Sequence, residues 1–158
     1  MNNIQKLLQD APAQQILDAL QSKLKISDEA VFWKDKAIPF AAAVLSVLIP
    51  LRQQNLLFTP EGDYMPELSA DLFLEWMDLL SLKTLLFTIY LSNEASELLR
   101  TKVPNEKSFS YEPIDIEPLA RYLSMQNVDL SKEDLDFPIS SYNIHQGIKN
   151  IIKPLLQD

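Results

Sequence analysis

Cysteine is missing from this sequence of 158 residues, and glycine occurs only twice, at Gly62 and Gly147. Without cysteine the chain has neither a disulfide framework nor a thiol nucleophile. So few glycines leave little room for tight hairpin turns, whose central residues need positive φ. Because ten prolines accompany these two glycines, the composition predicts helices that are punctuated by proline.

Glycine-rich phosphate-binding loops are also missing. The chain has neither the Gly-x-x-x-x-Gly-Lys-Ser/Thr pattern of ATPases nor the Gly-x-Gly-x-x-Gly pattern of dinucleotide-binding domains. Such loops need several glycines so that backbone amides can wrap phosphates. We therefore expect this chain to have no ATPase activity, no catalytic residues and no cofactor.

The sequence has one histidine, His145, which a predicted final helix places one turn from both Ser141 and Lys149. A catalytic Ser–His pair also needs an orienting group and an oxyanion hole, and the Gly-x-Ser-x-Gly elbow is not present. One histidine without cysteine makes a transition-metal site improbable. We therefore interpret His145 as a structural residue and expect no metal site.

The longest apolar run, Ala37–Leu51, is shorter than the ~20 residues of a membrane span and contains Pro39 and Pro50. It indicates a buried core helix, so we expect no membrane contact by this segment. The N-terminus lacks the charged-then-apolar build of a signal peptide. These features predict a cytoplasmic location.

Basic charge is scarce, and the formal net charge of −8 repels polyanions at long range. The clearest basic clusters are only pairs: Lys34 with Lys36, Arg100 with Lys102, and Lys149 with Lys153. We therefore expect direct nucleic-acid binding to be weak or absent.

Acidic residues are concentrated between Arg52 and Lys83, where no basic residue separates them. The six carboxylates are Glu61, Asp63, Glu67, Asp71, Glu75 and Asp78. A solvated helix face is one explanation. The other is a docking surface for a basic protein partner, and these six residues are the candidate partner-binding site.

Hydrophobic periodicity predicts a single compact all-α domain over residues 1–158, with about six to eight helices around a central helix at Val31–Gln54. Two short helices should precede it, separated at residues 11–13, and Ser27 or Asp28 should cap it. Pro39 should kink or restart it near Ile38.

The later part of the chain predicts further helices and two connectors. An apolar piece at residues 56–59 could be extended but has no strand partner in the sequence. We expect one helix that begins at Ser69, which should be its N-cap, and another that begins at Ser81. Residues 94–102 form either a third helix or a continuation of the second. Residues 103–113 should be an exposed loop, 116–125 a helix, 127–137 an acidic connector, and Pro138 should open the final helix.

The aromatic residues occur at helical spacing among aliphatic residues, which core packing explains. Trp33 and Trp76 are the exceptions that we expect at the core edge, because an indole ring often keeps its N–H bonded outward.

Several of these segments resemble the all-α domain of type IV secretion coupling proteins, especially those of the IVB kind. Residues 32–37 read Phe-Trp-Lys-Asp-Lys-Ala and precede an apolar helix, then Leu51-Arg52 and the 56–59 piece. Residues 80–85 read Leu-Ser-Leu-Lys-Thr-Leu, and Ser140–Gly147 is similar to a Gln-His-Gly element, with Gln and His in the opposite order. The resemblance covers residues 31–154.

The resemblance implies a non-catalytic recognition domain inserted in a larger, membrane-anchored and hexameric coupling ATPase. The motor domain would supply the phosphate loop, and this domain would bind relaxosome components, secretion substrates or adaptors at the cytosolic entrance during conjugation or DNA and protein transfer. The alternatives are a freestanding helical adaptor or secretion chaperone and, less simply, a hydrolase with a polar pocket around His145.

Overall fold

The computed structural model describes residues 4–104, 110–131 and 138–156, and all regular structure in these ranges is helical. The elements in chain order are α1 (Ile4–Asp10), α2 (Ala13–Lys25), α3 (Val31–Gln53), α4 (Ala70–Glu75), α5 (Leu79–Glu94), α6 (Glu97–Arg100), α7 (Glu117–Met125) and α8 (Ile139–Leu155). The predicted all-α class and helix number are confirmed.

The centre of the fold is α3, which packs against α2, α7 and α8. Its buried side chains include Phe40, Val44, Leu45, Leu48 and Leu51. Because neighbours cover several sides of this helix, it is apolar around most of its circumference, as buried helices are. The predicted central helix is confirmed, and it ends one residue earlier than expected.

Neither proline of α3 interrupts it, so the restart predicted at Ile38 does not occur. Pro39 is exposed, and proline lacks the N–H that would bond to the carbonyl of residue 35. Asp35 is exposed as well, so water can reach this part of the helix. Packing of the apolar residues that follow holds the helix together across the lost hydrogen bond.

The predicted cap of α3 is wrong, because its N-cap is Ala30 and makes no side-chain hydrogen bond. Ser27 instead closes the preceding helix, where its hydroxyl donates to the carbonyl of Leu24 at 2.9 Å. The sequence places a good capping residue near both helix ends, and only the path of the intervening residues decides which end it serves.

The two N-terminal helices are separated at residues 11 and 12, within the predicted break. Helix α2 packs against the central helix, and α1 packs against α2 and α4. Arg52, near the end of α3, donates to the carbonyl of Leu8 in α1 at 2.8 Å. Burial lowers the pKa of Arg52, and the nearby Asp10 carboxylate opposes that shift. Lys23 of α2 donates to the carbonyl of Leu155 at 3.0 Å, which ties the N-terminal pair to α8.

The apolar piece after α3 does have a partner, because Phe58 forms an isolated antiparallel bridge with Tyr64. The intervening turn includes Gly62, whose φ is +97°, a value that residues with a Cβ rarely adopt. The indole N–H of Trp76 donates to the carbonyl of Phe58 at 3.0 Å. Trp76 is therefore fully buried rather than at the core edge, whereas Trp33 is half-buried as expected.

Ser69 caps α4 as predicted, since its hydroxyl accepts the N–H of Leu72 at 3.1 Å. The next helix begins at Leu79 rather than at Ser81, with Asp78 as its N-cap. It ends at Glu94, because Ala95 is extended (φ −148°, ψ 110°), so α6 is a separate turn.

The predicted loop and connector are only partly described, since residues 105–109 and 132–137 lie outside the described ranges. The loop predicted over residues 103–113 is not fully exposed, because Val103 is buried. The helix predicted over 116–125 is α7, and Pro138 precedes α8 as expected. In the described ranges, we find no helix with the length and hydrophobicity that crossing a bilayer requires.

Candidate functional site

The structure places all six predicted carboxylates at exposed positions between the end of α3 and the start of α5. They are not free of counter-charge, however. Asp78 forms an ion pair with Lys149 of α8. Near the Glu61–Asp63 turn, the ammonium group of Lys102 lies 5.2 Å from the ring centre of Phe58, beside Gly62. Tertiary contacts therefore bring a base to each end of the acidic segment.

The middle of the segment keeps three exposed carboxylates, Glu67, Asp71 and Glu75. Asp71 and Glu75 stand four residues apart on α4, so they lie on the same side of this helix. Among the described residues, no ion pair is found for any of the three, and we call them the acidic face. The acidic face is therefore the part of the predicted site whose carboxylates are exposed and, within the described ranges, not paired with a base.

His145 is buried with both ring nitrogens hydrogen-bonded. Nε2 lies 2.6 Å from the carbonyl oxygen of Met77, which can only accept, so this nitrogen carries the proton. Nδ1 then accepts the hydroxyl of Tyr122 at 2.8 Å. Burial, assisted by Lys149, lowers the pKa of His145 to about 4, while the Met77 carbonyl and Asp78 oppose the shift.

The predicted structural role of His145 agrees with these contacts. Burial also raises the pKa of its partner Tyr122. Ser141, one turn before the histidine, accepts a hydrogen bond from Asn127 at 3.2 Å, while both nitrogens of the ring are engaged elsewhere. The two residues therefore do not form a nucleophile–base pair in this arrangement.

Trp33 and Gly147 join the start of α3 to the middle of α8. A Cβ atom at Gly147 would lie 2.9 Å from Cζ2 of Trp33 and closer still to two other ring carbons. The indole ring therefore occupies the space that a side chain at position 147 would fill. Two of the segments that carry the family resemblance, residues 32–37 and 140–147, are thus in direct contact.

A cleft of about 360 Å³ lies between α3, α7 and α8 and was not predicted. We call it the α3–α7 cleft. Its walls are mainly apolar: Pro39, Ala42 and Ala43 from α3, Pro118, Tyr122 and Met125 from α7, and Ile148 from α8. Asp35, Lys36 and Arg121 add charged groups, and Gln126 adds an amide.

Gln126 is the unusual member of the α3–α7 cleft. It is only 9% exposed, yet its side-chain amide has no hydrogen-bond partner in the described part of the chain. In the described part of the chain, every side-chain nitrogen or oxygen that is fully enclosed has a hydrogen-bond partner. Because the Gln126 amide has none there, it is not fully enclosed and must face the open space of the cleft. Buried amides normally find partners, because leaving one unpaired costs about 1–3 kcal/mol.

The cleft has a weak signal in the sequence. Pro39, Ala42 and Ala43 follow helical spacing on one side of α3, within a helix otherwise rich in Leu, Val and Ile. If the neighbouring helix cannot move closer to α3, the short side chains on this side of α3 leave a space between the two helices. Whether that space is filled depends on the partner helix, which the sequence does not identify.

A larger groove of about 480 Å³ runs along α5, lined mainly by Leu80, Phe87, Leu91 and Leu98. Its lining also includes Lys83 and Thr88, which are both buried, and the ammonium group of Lys83 donates to the carbonyl of Asp129 at 3.2 Å. No group of three or more His, Cys, Asp or Glu residues that could hold a metal occurs within residues 4–104, 110–131 and 138–156.

Comparison with protein-family models, with curated proteins and with solved structures gives no match to this chain.

Proposed function

We propose that the chain is a non-catalytic recognition domain of a type IV secretion coupling protein. In this role it would bind a relaxosome component, a secretion substrate or an adaptor at the cytosolic entrance of the translocation motor, during DNA or protein transfer. The observation that carries the proposal is the contact between Trp33 and Gly147.

That contact supports the proposal because it joins separate parts of the resemblance. The resemblance implies a long helix that opens with Trp and Ala and ends near Arg, and α3 contains Trp33, Ala37 and Arg52 in that order. It also implies a glycine-containing element in the final helix, and Gly147 of α8 lies against the Trp33 ring. The packing of α3 against α8 thus brings together two of the segments that carry the resemblance.

The acidic face is the surface that we assign to the partner. Glu67, Asp71 and Glu75 are exposed, whereas Asp78 is paired with Lys149 and contributes to the fold. A basic partner would gain charge-assisted contacts and faster association from three carboxylates on one side of the molecule.

The test is a charge reversal of the acidic face in the chain of residues 1–158. Proteins encoded in the same secretion or conjugation locus are purified singly, and their binding to the wild type and to Glu67→Lys/Asp71→Lys/Glu75→Lys is measured by surface plasmon resonance. We expect one partner to bind the variant about tenfold more weakly at low salt. The difference should shrink at high salt, because salt screens exposed charges.

The matched control reverses three exposed carboxylates elsewhere, Asp18, Asp28 and Glu29, and changes the net charge by the same amount. This control should bind like the wild type. Equal losses in both variants would show a non-specific effect of net charge, and undiminished binding by the first variant would exclude the acidic face. If no protein of the locus binds the wild-type chain, the proposed function is wrong.

A further inference from the structure

The α3–α7 cleft has the dimensions and lining of a small binding site. Ligand clefts of proteins range from about 300 to 1,000 Å³ and combine apolar walls with a few placed polar groups. This cleft measures about 360 Å³, with mainly apolar walls and the Gln126 amide. Its size is that of a site for one or two side chains of a partner rather than for a large cofactor.

Gln126 sets the first requirement for an occupant, because its amide carries both hydrogen-bond donors and an acceptor. A purely apolar tail, such as that of a fatty acid, would leave this buried amide unpaired. A phosphate or carboxylate would use only the donors of the amide and face its oxygen. A peptide group supplies the complementary pair, one N–H and one C=O.

The same molecule shows how its amide side chains bind a peptide segment. Gln54 donates to the carbonyl of Glu112 at 2.9 Å and accepts the N–H of the same residue at 2.8 Å. Asn93 does the same with Ile114, at 2.8 Å and 3.0 Å. Residues 112 and 114 are two positions apart, as the main-chain groups on one side of an extended strand are.

Asp35 offers a second main-chain contact at the cleft. Pro39 has no N–H, so the carbonyl of Asp35 lacks its usual helical donor, and both residues line the cleft. Such a carbonyl can accept a hydrogen bond from the N–H of an extended peptide segment. The cleft therefore combines an unpaired amide, a carbonyl without its helical donor, and an apolar wall.

The charges around the cleft do not favour an ion of either sign. Arg121 is paired with Glu117. The ammonium group of Lys36 lies 4.7 Å from the ring centre of Phe32, and Asp35 is its neighbour in sequence. Opposite charges therefore alternate at the mouth of the cleft, which favours a neutral occupant over a nucleotide, a phosphate or an anionic lipid.

We propose that the α3–α7 cleft binds an extended peptide segment of a protein partner. One aliphatic side chain of that segment would pack between Ala42 and Met125, and one of its peptide groups would pair with the Gln126 amide. This inference rests on the proposed function of protein recognition, and it adds a surface separate from the acidic face together with the chemistry of what binds there.

The test selects binding peptides from a library of short random sequences displayed on phage, with the chain of residues 1–158 as target. The selected peptides are synthesised, and their dissociation constants are measured by fluorescence polarisation. Ala42→Leu fills the cleft, and Gln126→Met removes the amide while keeping the length of the side chain. We expect each substitution to weaken binding about tenfold.

The matched control is Ala19→Leu, which makes the same change at another half-buried helical alanine, on α2 outside the cleft. This variant should bind the peptides as the wild type does, and thermal unfolding should show that all three variants are folded. If Ala42→Leu does not fold, two other measurements decide whether the peptide occupies the cleft. Gln126→Met should still weaken binding, and adding the peptide to the wild type should shift the NMR signals of the Gln126 side-chain NH₂ group.

Other outcomes separate the two proposals. If the selected peptides bind Ala42→Leu and Gln126→Met normally but not the acidic-face variant, the cleft is not the site and the proposed function stands. If octanoate shifts the Gln126 signals and no peptide does, the cleft takes an apolar acid and this inference is wrong. A third outcome is that Ala42→Leu and Gln126→Met weaken peptide binding but no protein of the locus binds the chain. This result would support the cleft as a peptide site and contradict the proposed function.

Discussion

At the scale of single residues, Gly147 shows how a missing side chain can determine packing. The Trp33 ring lies where a Cβ atom at position 147 would be. The indole of α3 therefore packs directly on the backbone of α8. Glycine costs a helix interior about 1 kcal/mol relative to alanine. The close approach of the two helices at this point offsets that cost.

We therefore expect Gly147→Ala to lower the free energy of unfolding by up to about 2 kcal/mol. Overpacking costs about 1–3 kcal/mol, and the better helix propensity of alanine returns about 1 kcal/mol. Urea denaturation followed by tryptophan fluorescence measures the change. In a Trp33→Leu background the same substitution should be neutral or stabilising, since the obstructing ring is gone. A stabilising Gly147→Ala in the wild type would contradict the contact.

At the scale of elements, α3 is the central helix of the fold. Leu45 and Leu48 are fully buried on it, and α2, α7 and α8 pack around it. Burial on several sides explains why its apolar residues do not form a single stripe. A helix of this kind contributes to stability through packing rather than through its own propensity.

Replacing Leu45 or Leu48 by Ala should lower the free energy of unfolding by about 2–5 kcal/mol, because each change leaves a cavity in the core. Chemical denaturation measures the loss. Leu91→Ala on α5 is the matched control, since Leu91 is 52% exposed and its truncation should cost much less. Equal losses at buried and exposed positions would show that the helix faces are misassigned.

At the scale of the whole molecule, His145 links distant parts of the chain. It stands on α8, accepts from Tyr122 of α7 and donates to Met77, which lies between α4 and α5. These contacts use the neutral ring, and protonation would remove the acceptor that Tyr122 needs. The charge state of one side chain therefore affects the packing of several helices.

The stability of the fold should consequently depend on pH through His145. Its pKa is lowered to about 4 in the folded chain, against about 6.5 in the unfolded chain. Between these values the unfolded chain binds a proton that the folded chain does not. The free energy of unfolding should therefore be at its full value above about pH 6.5 and fall by up to about 3 kcal/mol as the pH falls towards 4.

Urea denaturation across this pH range, compared between the wild type and His145→Gln, measures the contribution of the histidine. The variant should lose much of the slope, while the surface carboxylates affect both proteins alike. If the variant does not fold, an NMR titration of the His145 ring in the wild type provides the answer. A ring that takes up its proton near pH 6.5 in the folded protein would contradict the prediction.

The candidate site could be predicted in part. The acidic segment was visible because its carboxylates follow one another without a basic residue in the sequence. Its counter-charges were not visible, since Lys102 and Lys149 come from other parts of the chain. The α3–α7 cleft was not predicted either, because a cleft depends on the distance between helices, and neither its small residues nor Gln126 specify that distance alone.

The sequence by itself determined the helical class, the central position of α3, the break before α2 and the Ser69 cap. These features follow from interactions within one or two helical turns, or from the burial that a continuously apolar helix requires. Only the tertiary structure decided which helix end Ser27 serves, that Phe58 pairs with Tyr64, and that Gly147 receives the Trp33 ring. Each depends on residues that are distant or on the path of a connection, and local physical chemistry does not specify which groups meet.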